Sequence, residues 1–162
     1  MAKRRQQITV GDVFAVPIPT AEGVVGVGQV ISEEPDCLNS VLCAFFVDLL
    51  EDEAKVGSYL PSAGRLLSVQ LTTRDLLDSG KWKVCGRSSP LDVSPLFPID
   101  ALRANEFVGA KVRGSKSMWE LISAYNGKSA WDDFHDPMYL DNLLLPGLRR
   151  PRGAILKQAP TN

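Results

Sequence analysis

Hydrophobic and polar residues alternate in short runs through the first half of the chain, as is typical of β-strands. The pattern predicts five strands there, over residues 12–18, 24–31, 41–50, 66–71 and 81–86. The run 41–50 is so densely apolar that it predicts a strand buried on both faces. Gly26 and Gly28 fall inside the second run, where glycines permit the sharp bending that small barrels need.

The second half of the chain predicts a further strand over 106–112 and then helices. A capping box over 117–120 begins the first helix, and Asn126-Gly127 ends it. Its apolar face follows helical spacing and consists of Met118, Leu121, Ile122 and Tyr125. Asp136 before Pro137 predicts a second helix start, and 153–156 predicts a last short strand. The predicted fold class is α+β: a small, strongly bent antiparallel β-sheet or SH3-like barrel with C-terminal helices.

A chain of 162 residues with 44% apolar residues and a net charge of -1 is the size and composition of one globular domain. We place this domain at 8–157, between a flexible basic N-terminus (1–7) and a flexible tail (158–162). The three cysteines, Cys37, Cys43 and Cys85, have no C-x-x-C spacing and predict reduced thiols. With no apolar leader or spanning segment, the expected location is the cytoplasm.

One histidine, His135, limits the chemistry available to the chain. Catalytic zinc sites usually take three protein ligands, most often histidines, so the sequence predicts no metal, no cofactor and no catalytic residue. The glycine run 23–28 does not predict a phosphate loop, because no helix follows it. Trp82 and Trp119 fall at apolar positions and are expected in the core.

Three acidic clusters are candidate partner-binding surfaces. They comprise Glu33, Glu34 and Asp36; Glu51, Asp52 and Glu53; and Asp132, Asp133 and Asp136. The first two could instead be ordinary solvated turns or loops. In the third, a helix would place Asp132, Asp136 and His135 on one face, where they could hold a divalent metal or transfer protons. The same residues could instead form a solvent-facing helix cap beside a buried Trp131.

Three ordered motifs carry a resemblance over almost the whole domain. They are Gly11-Asp12-Val13-Phe14-Ala15-Val16-Pro17-Ile18 followed by Gly26-Val27-Gly28-Gln29-Val30; Gly80-x-Trp82-x-x-x-Gly86; and Trp131-Asp132-x-x-His135. In this order they resemble the bacterial immunity protein 26 family, which also carries the HocA phosphotriesterase label. The motif residues expected to serve either structure or site are Gly11, Asp12, Pro17, Gly28, Trp82, Gly86, Trp131, Asp132 and His135.

The resemblance implies two different functions. One is a cytoplasmic immunity protein that binds and occludes a cognate bacterial toxin. The other is metal-dependent hydrolysis of phosphotriesters, which needs a metal-activated water and several ligands. The residue content favours occlusion without catalysis, and basic nuclease toxins would suit acidic surfaces. On this reading Trp131 and His135 are expected to stabilise the fold. A third possibility is a small barrel that binds peptide or nucleic acid, although the net charge makes nucleic acid an unfavourable partner.

Overall fold

A single mixed sheet organises the computed structural model, which describes residues 4–19 and 21–157. Its strands are β1 (Asp12–Pro17), β2 (Val25–Glu34), β3 (Ser40–Phe46), β4 (Leu66–Thr72), β5 (Val84–Arg87) and β6 (Val112–Arg113). The helices are α1 (Asp75–Asp78), α2 (Ile99–Ala104) and α3 (Ser115–Tyr125), with short 3-10 turns at Glu53–Ser58, Ala63–Arg65 and Asp141–Leu143. The strand order is β5-β1-β2-β3-β4-β6.

The α+β class is confirmed, but the sheet is neither purely antiparallel nor closed into a barrel. Four of the pairings are antiparallel, whereas β6 runs parallel to β4. β5 and β6 form the two edges. The register shifts near Phe14, between Val30 and Ser32 and near Phe46 are irregularities that bend a sheet locally without closing it.

The sheet carries an apolar core on each face, which explains the dense apolar run of its central strand. Every residue of β3 is buried, as the sequence predicts. Phe45 packs with Trp82 and α3 residues on one face, while Phe46 packs with Val56 and Ile99 on the other. Because successive side chains of a strand point to opposite faces, a strand covered on both sides must be apolar throughout.

Helix α3 buries the predicted Met118, Leu121 and Ile122, but it does not begin at the predicted capping box. It starts at Ser115 after Gly114, which has no side chain to act as a cap, and the Ser115 N–H donates to the Thr73 hydroxyl at 3.1 Å. The Ser117 hydroxyl lies 2.6 Å from the Tyr139 hydroxyl instead. The hydroxyl that the capping box would have used thus forms a tertiary hydrogen bond with Tyr139.

Other local predictions give way to tertiary structure. The strand expected over 106–112 is wrong, because α2 and a turn at Glu106 and Phe107 (φ 52 and 60) precede the two-residue β6. The helix expected after Asp136 is also wrong: this carboxylate accepts a hydrogen bond from the Met138 N–H (2.9 Å) within a turn. The strand expected over 153–156 is reduced to one bridge, Ala130 to Ile155. The short helix α1, which follows β4, has Arg74 at its N-cap position.

The N-terminal segment contacts the domain through Gln6. Its amide nitrogen donates to the carbonyls of Leu77 (2.8 Å) and Trp82 (2.9 Å), and its amide oxygen accepts from the Val84 N–H (3.0 Å). Gln6 thus belongs with the folded domain, although the sequence places the boundary at residue 8. Of the predicted flexible ends, residues 1–3 and 158–162 lie outside the described residues. Among the helices of the described ranges, none combines the length and apolar character needed to cross a bilayer.

Candidate partner-binding surface

The first acidic cluster is divided between structure and surface. Glu34 is buried and accepts hydrogen bonds from Arg103 Nε (2.7 Å) and Nη2 (2.9 Å). These bonds lower the pKa of Glu34 despite its burial. Glu33 lies at the surface, 3.3 Å from Arg74 Nη1, and Asp36 is exposed. Glu34 therefore connects β2 to α2, which leaves its neighbours as the surface acids of this cluster.

The third cluster is divided in the same way by the burial of Trp131. The indole Nε1 of Trp131 donates to Asp141 (3.1 Å), which also accepts two hydrogen bonds from Arg150. Asp132 is buried and accepts from the backbone N–H of Lys157 at 2.6 Å. Asp133 is exposed and pairs with the Lys157 ammonium at 2.9 Å. The Trp-Asp part of the motif thus fastens the C-terminal segment to the domain.

His135 and Asp136 are exposed in an irregular segment, so the helical face shared with Asp132 is not formed. The expectation that His135 stabilises the fold gains no support from this position, because the residue is exposed to solvent. Nor do the residues at 4–19 and 21–157 gather three or more metal-ligating side chains of His, Cys, Asp or Glu. The geometry gives the metal-binding interpretation of this motif no support.

The two glycine-containing motifs hold the sheet in close contact with its neighbours. Gly11 has φ +94, and a Cβ atom there would lie 2.4 Å from the Ser88 carbonyl oxygen. A Cβ at Gly28 would lie 2.4 Å from the ring of Phe14, which stacks on Trp82 at 5.3 Å between centroids.

The remaining motif residues have related roles. Asp12 is buried and accepts from Arg87 Nε at 3.2 Å. Gly86 packs close to the backbone of Gly57, where a Cβ would be 3.0 Å from its carbonyl oxygen. Pro17 differs from the other residues of these two motifs because it is exposed and borders a groove.

This groove brings the second acidic cluster next to the end of β1. A backbone bridge between Val25 and Leu50, with hydrogen bonds of 3.0 and 2.8 Å, holds the two segments together. The groove occupies about 720 Å³ and is wide open to solvent. We call it the acidic groove; its lining residues are Pro17, Ile18, Pro19, Glu22, Gly23, Val24, Val25, Asp52, Glu53 and Ala54.

Three carboxylates border the apolar floor of the acidic groove. Glu22, Asp52 and Glu53 are all exposed, and Glu53 lies 3.7 Å from Lys83. Glu51, the other predicted member of this cluster, is turned to Lys55 at 2.6 Å and does not line the groove. Sequence reasoning missed Glu22, because a single acid in a turn carries no local signal of a site.

A second cleft, of about 430 Å³, shares Pro17 and Pro19 with the acidic groove. We call it the Trp119 cleft; its other lining residues are Leu76, Lys81, Trp82 and Trp119. Trp82 is buried, as predicted, whereas Trp119, also expected in the core, packs against it but is only partly buried. The sequence did contain a signal of this partial exposure, because Trp119 falls outside the helical spacing of Met118, Leu121 and Ile122, which form the apolar face of α3.

Comparison of the chain with protein-family models, with curated proteins and with solved structures gives no match in any of the three.

Proposed function

We propose that this protein binds a basic surface of a protein partner in the acidic groove and occludes it, as an immunity protein does with its toxin. The proposal rests on one observation: the acidic groove combines an apolar floor with three exposed carboxylates, Glu22, Asp52 and Glu53. An interface of this kind gains binding free energy from apolar burial and specificity from charge complementarity.

The charge in this region is local, since the whole chain carries a net charge of only -1. Clustered carboxylates accelerate encounter with a basic surface, and the acceleration decreases as salt screens the charges. A toxin that cleaves nucleic acid must itself present positive charge to phosphates. Covering that surface requires a rigid scaffold with acids at its rim and no reaction step.

The resemblance alone supports phosphotriester hydrolysis, which remains the alternative. A metal-activated water needs converging ligands, and His135 stands apart from the acidic groove in sequence and in its lining. Nucleic acid is disfavoured at the groove because carboxylates repel phosphates. A protein partner is thus the class that fits these side chains.

The test is protection from a toxin in growing cells. Products of genes adjacent to this one are expressed singly, and those that arrest growth are co-expressed with the protein. We expect the protein to neutralise one of these products and to form a stoichiometric complex with it. The Asp52→Lys variant should fail to restore growth. Asp36→Lys is the matched control, because Asp36 is an equally charged, exposed aspartate outside the groove.

Protection that is unaffected by Asp52→Lys and by Glu22→Lys would refute the groove as the binding site. Turnover of a chromogenic phosphotriester by purified protein, abolished by His135→Ala with the fold intact, would replace this proposal with the hydrolase.

A further inference from the structure

Trp119 is a large aromatic side chain that the fold leaves partly exposed. It lines both the Trp119 cleft and a separate hollow of about 180 Å³, of which Phe134 is another lining residue. Partly exposed tryptophans beside preformed clefts are frequent anchors of protein interfaces, because they bury a large area at a small cost in side-chain entropy.

The walls of the Trp119 cleft are chemically suited to a large apolar side chain. Two proline rings, the Leu76 side chain and two indoles surround it, and Lys81 is the charged residue of its lining. The cleft therefore complements the acidic groove next to it, where the charged lining residues are all carboxylates.

The wall that the two sites share begins at the end of a paired strand. Strand β1 pairs with β2 as far as Pro17, which lies opposite Val25, and it pairs with β5 at residues 12–14. The ring of Trp82 stacks on Phe14 of β1 with an interplanar angle of 10°, and the backbone N–H of Trp82 donates to the Leu76 carbonyl at 2.9 Å. A preformed surface binds with a small ordering cost.

We propose that one segment of the partner protein occupies both sites, with a basic side chain in the acidic groove and a nearby large apolar side chain in the Trp119 cleft. This inference rests on the proposed function and specifies the partner's recognition segment. Charge complementarity selects the occupant. Glu22 and Asp52, with Glu53 beside Lys83, favour a cation on one side of the Pro17–Pro19 wall, and the mainly apolar lining of the Trp119 cleft favours an apolar group on the other.

Three hexapeptides with blocked ends test the shared segment by nuclear magnetic resonance. The combined peptide carries two lysines followed by two glycines and two leucines. In the lysine peptide the leucines are replaced by glycines, and in the leucine peptide the lysines are replaced by glycines. The readout is the indole N–H signal of Trp119 beside those of Trp82 and Trp131, which are 1% and 0% exposed. We expect the combined peptide to bind about tenfold more tightly than either half, because the second contact is intramolecular once the first has formed. The leucine-containing peptides should shift the Trp119 signal.

Variants then separate the two halves of the site. Trp119→Ala should reduce binding of the combined peptide to that of the lysine peptide, whereas Phe134→Ala, the matched control in the separate hollow, should leave binding unchanged. The wild-type titration stands even if Trp119→Ala does not fold. Equal binding of the combined and lysine peptides would overturn the shared segment while leaving the proposed function intact. If the lysine peptide does not bind and the leucine peptide does, both proposals are overturned at this groove.

Discussion

Glu34 on β2 and Arg103 on α2 form a two-pronged ion pair, with distances of 2.7 and 2.9 Å from the guanidinium nitrogens to the two carboxylate oxygens. The carboxylate is buried, while the Arg103 side chain is 43% exposed. The pair connects two elements that are 69 residues apart in sequence. It converts a residue that the sequence predicts for partner binding into a structural one.

Glu34→Gln should destabilise the protein by about 1–3 kcal/mol, because the charge-assisted bonds are lost while Arg103 can still reach water. Urea denaturation followed by tryptophan fluorescence measures the change. Asp36→Asn is the control and should alter the free energy of unfolding by less than about 0.5 kcal/mol, as exposed substitutions do. Equal effects of the two substitutions would contradict a structural role for the pair.

The same pair predicts a pH dependence of stability. Hydrogen bonds from Arg103 depress the pKa of Glu34 below its ordinary value of 4.5, so the folded state favours the ionised form. Its contribution is complete above pH 4.5 and is lost as pH falls through the lower pKa of the folded state. The difference in free energy of unfolding between wild type and Glu34→Gln should therefore narrow as the pH falls below 4.5, as measured by urea titrations. A gap that stays constant down to about pH 3 would contradict the depressed pKa.

Within the Trp-Asp-x-x-His motif, the tryptophan and the histidine should differ sharply in their effect on stability. Trp131 is fully buried and donates to Asp141, so Trp131→Ala should cost about 3–5 kcal/mol or prevent folding. His135 is exposed, and His135→Ala should change the free energy of unfolding by less than about 0.5 kcal/mol. Thermal unfolding of the two variants gives the comparison, and a large loss for His135→Ala would restore its expected structural role.

Gly28 should not tolerate even one added methyl group. A Cβ there would lie 2.4 Å from the Phe14 ring, which is itself stacked on Trp82, so Gly28→Ala should cost about 1–3 kcal/mol. Gly153→Ala is the matched control, since a Cβ at Gly153 has no atom within 4 Å among the described residues. Comparable melting temperatures for the two variants would show that Phe14 moves aside.

Gln6 should contribute to stability although it lies in the segment predicted to be flexible. Gln6→Ala removes three side-chain hydrogen bonds and leaves part-buried carbonyls without this donor, at a cost of about 1–3 kcal/mol. Gln7→Ala, at an exposed neighbour, is the control and should have little effect. Hydrogen exchange at the Val84 amide should accelerate in Gln6→Ala, and an unchanged rate would indicate that the N-terminal segment is not bound to β5.

Local pattern was sufficient for the strands of the first half and for the apolar face of α3. β3 could be predicted because a strand buried on both faces must be apolar at every position. Met118, Leu121 and Ile122 could be predicted because helical spacing alone places them together. The failed elements, such as the strand over 106–112 and the helix after Asp136, are short segments in which tertiary hydrogen bonds and turns outweigh weak local preferences.

The sequence by itself determined the α+β class, the buried central strand and the presence of acidic surface clusters. Only the tertiary structure decided which acids remain at the surface, because Glu34 and Asp132 are buried and accept hydrogen bonds from residues distant in the chain. It also assembled the acidic groove, since the Val25–Leu50 bridge brings Asp52 beside Pro17 and Glu22. A local pattern records what each segment prefers, whereas the groove depends on long-range contacts whose free energy no single segment contains.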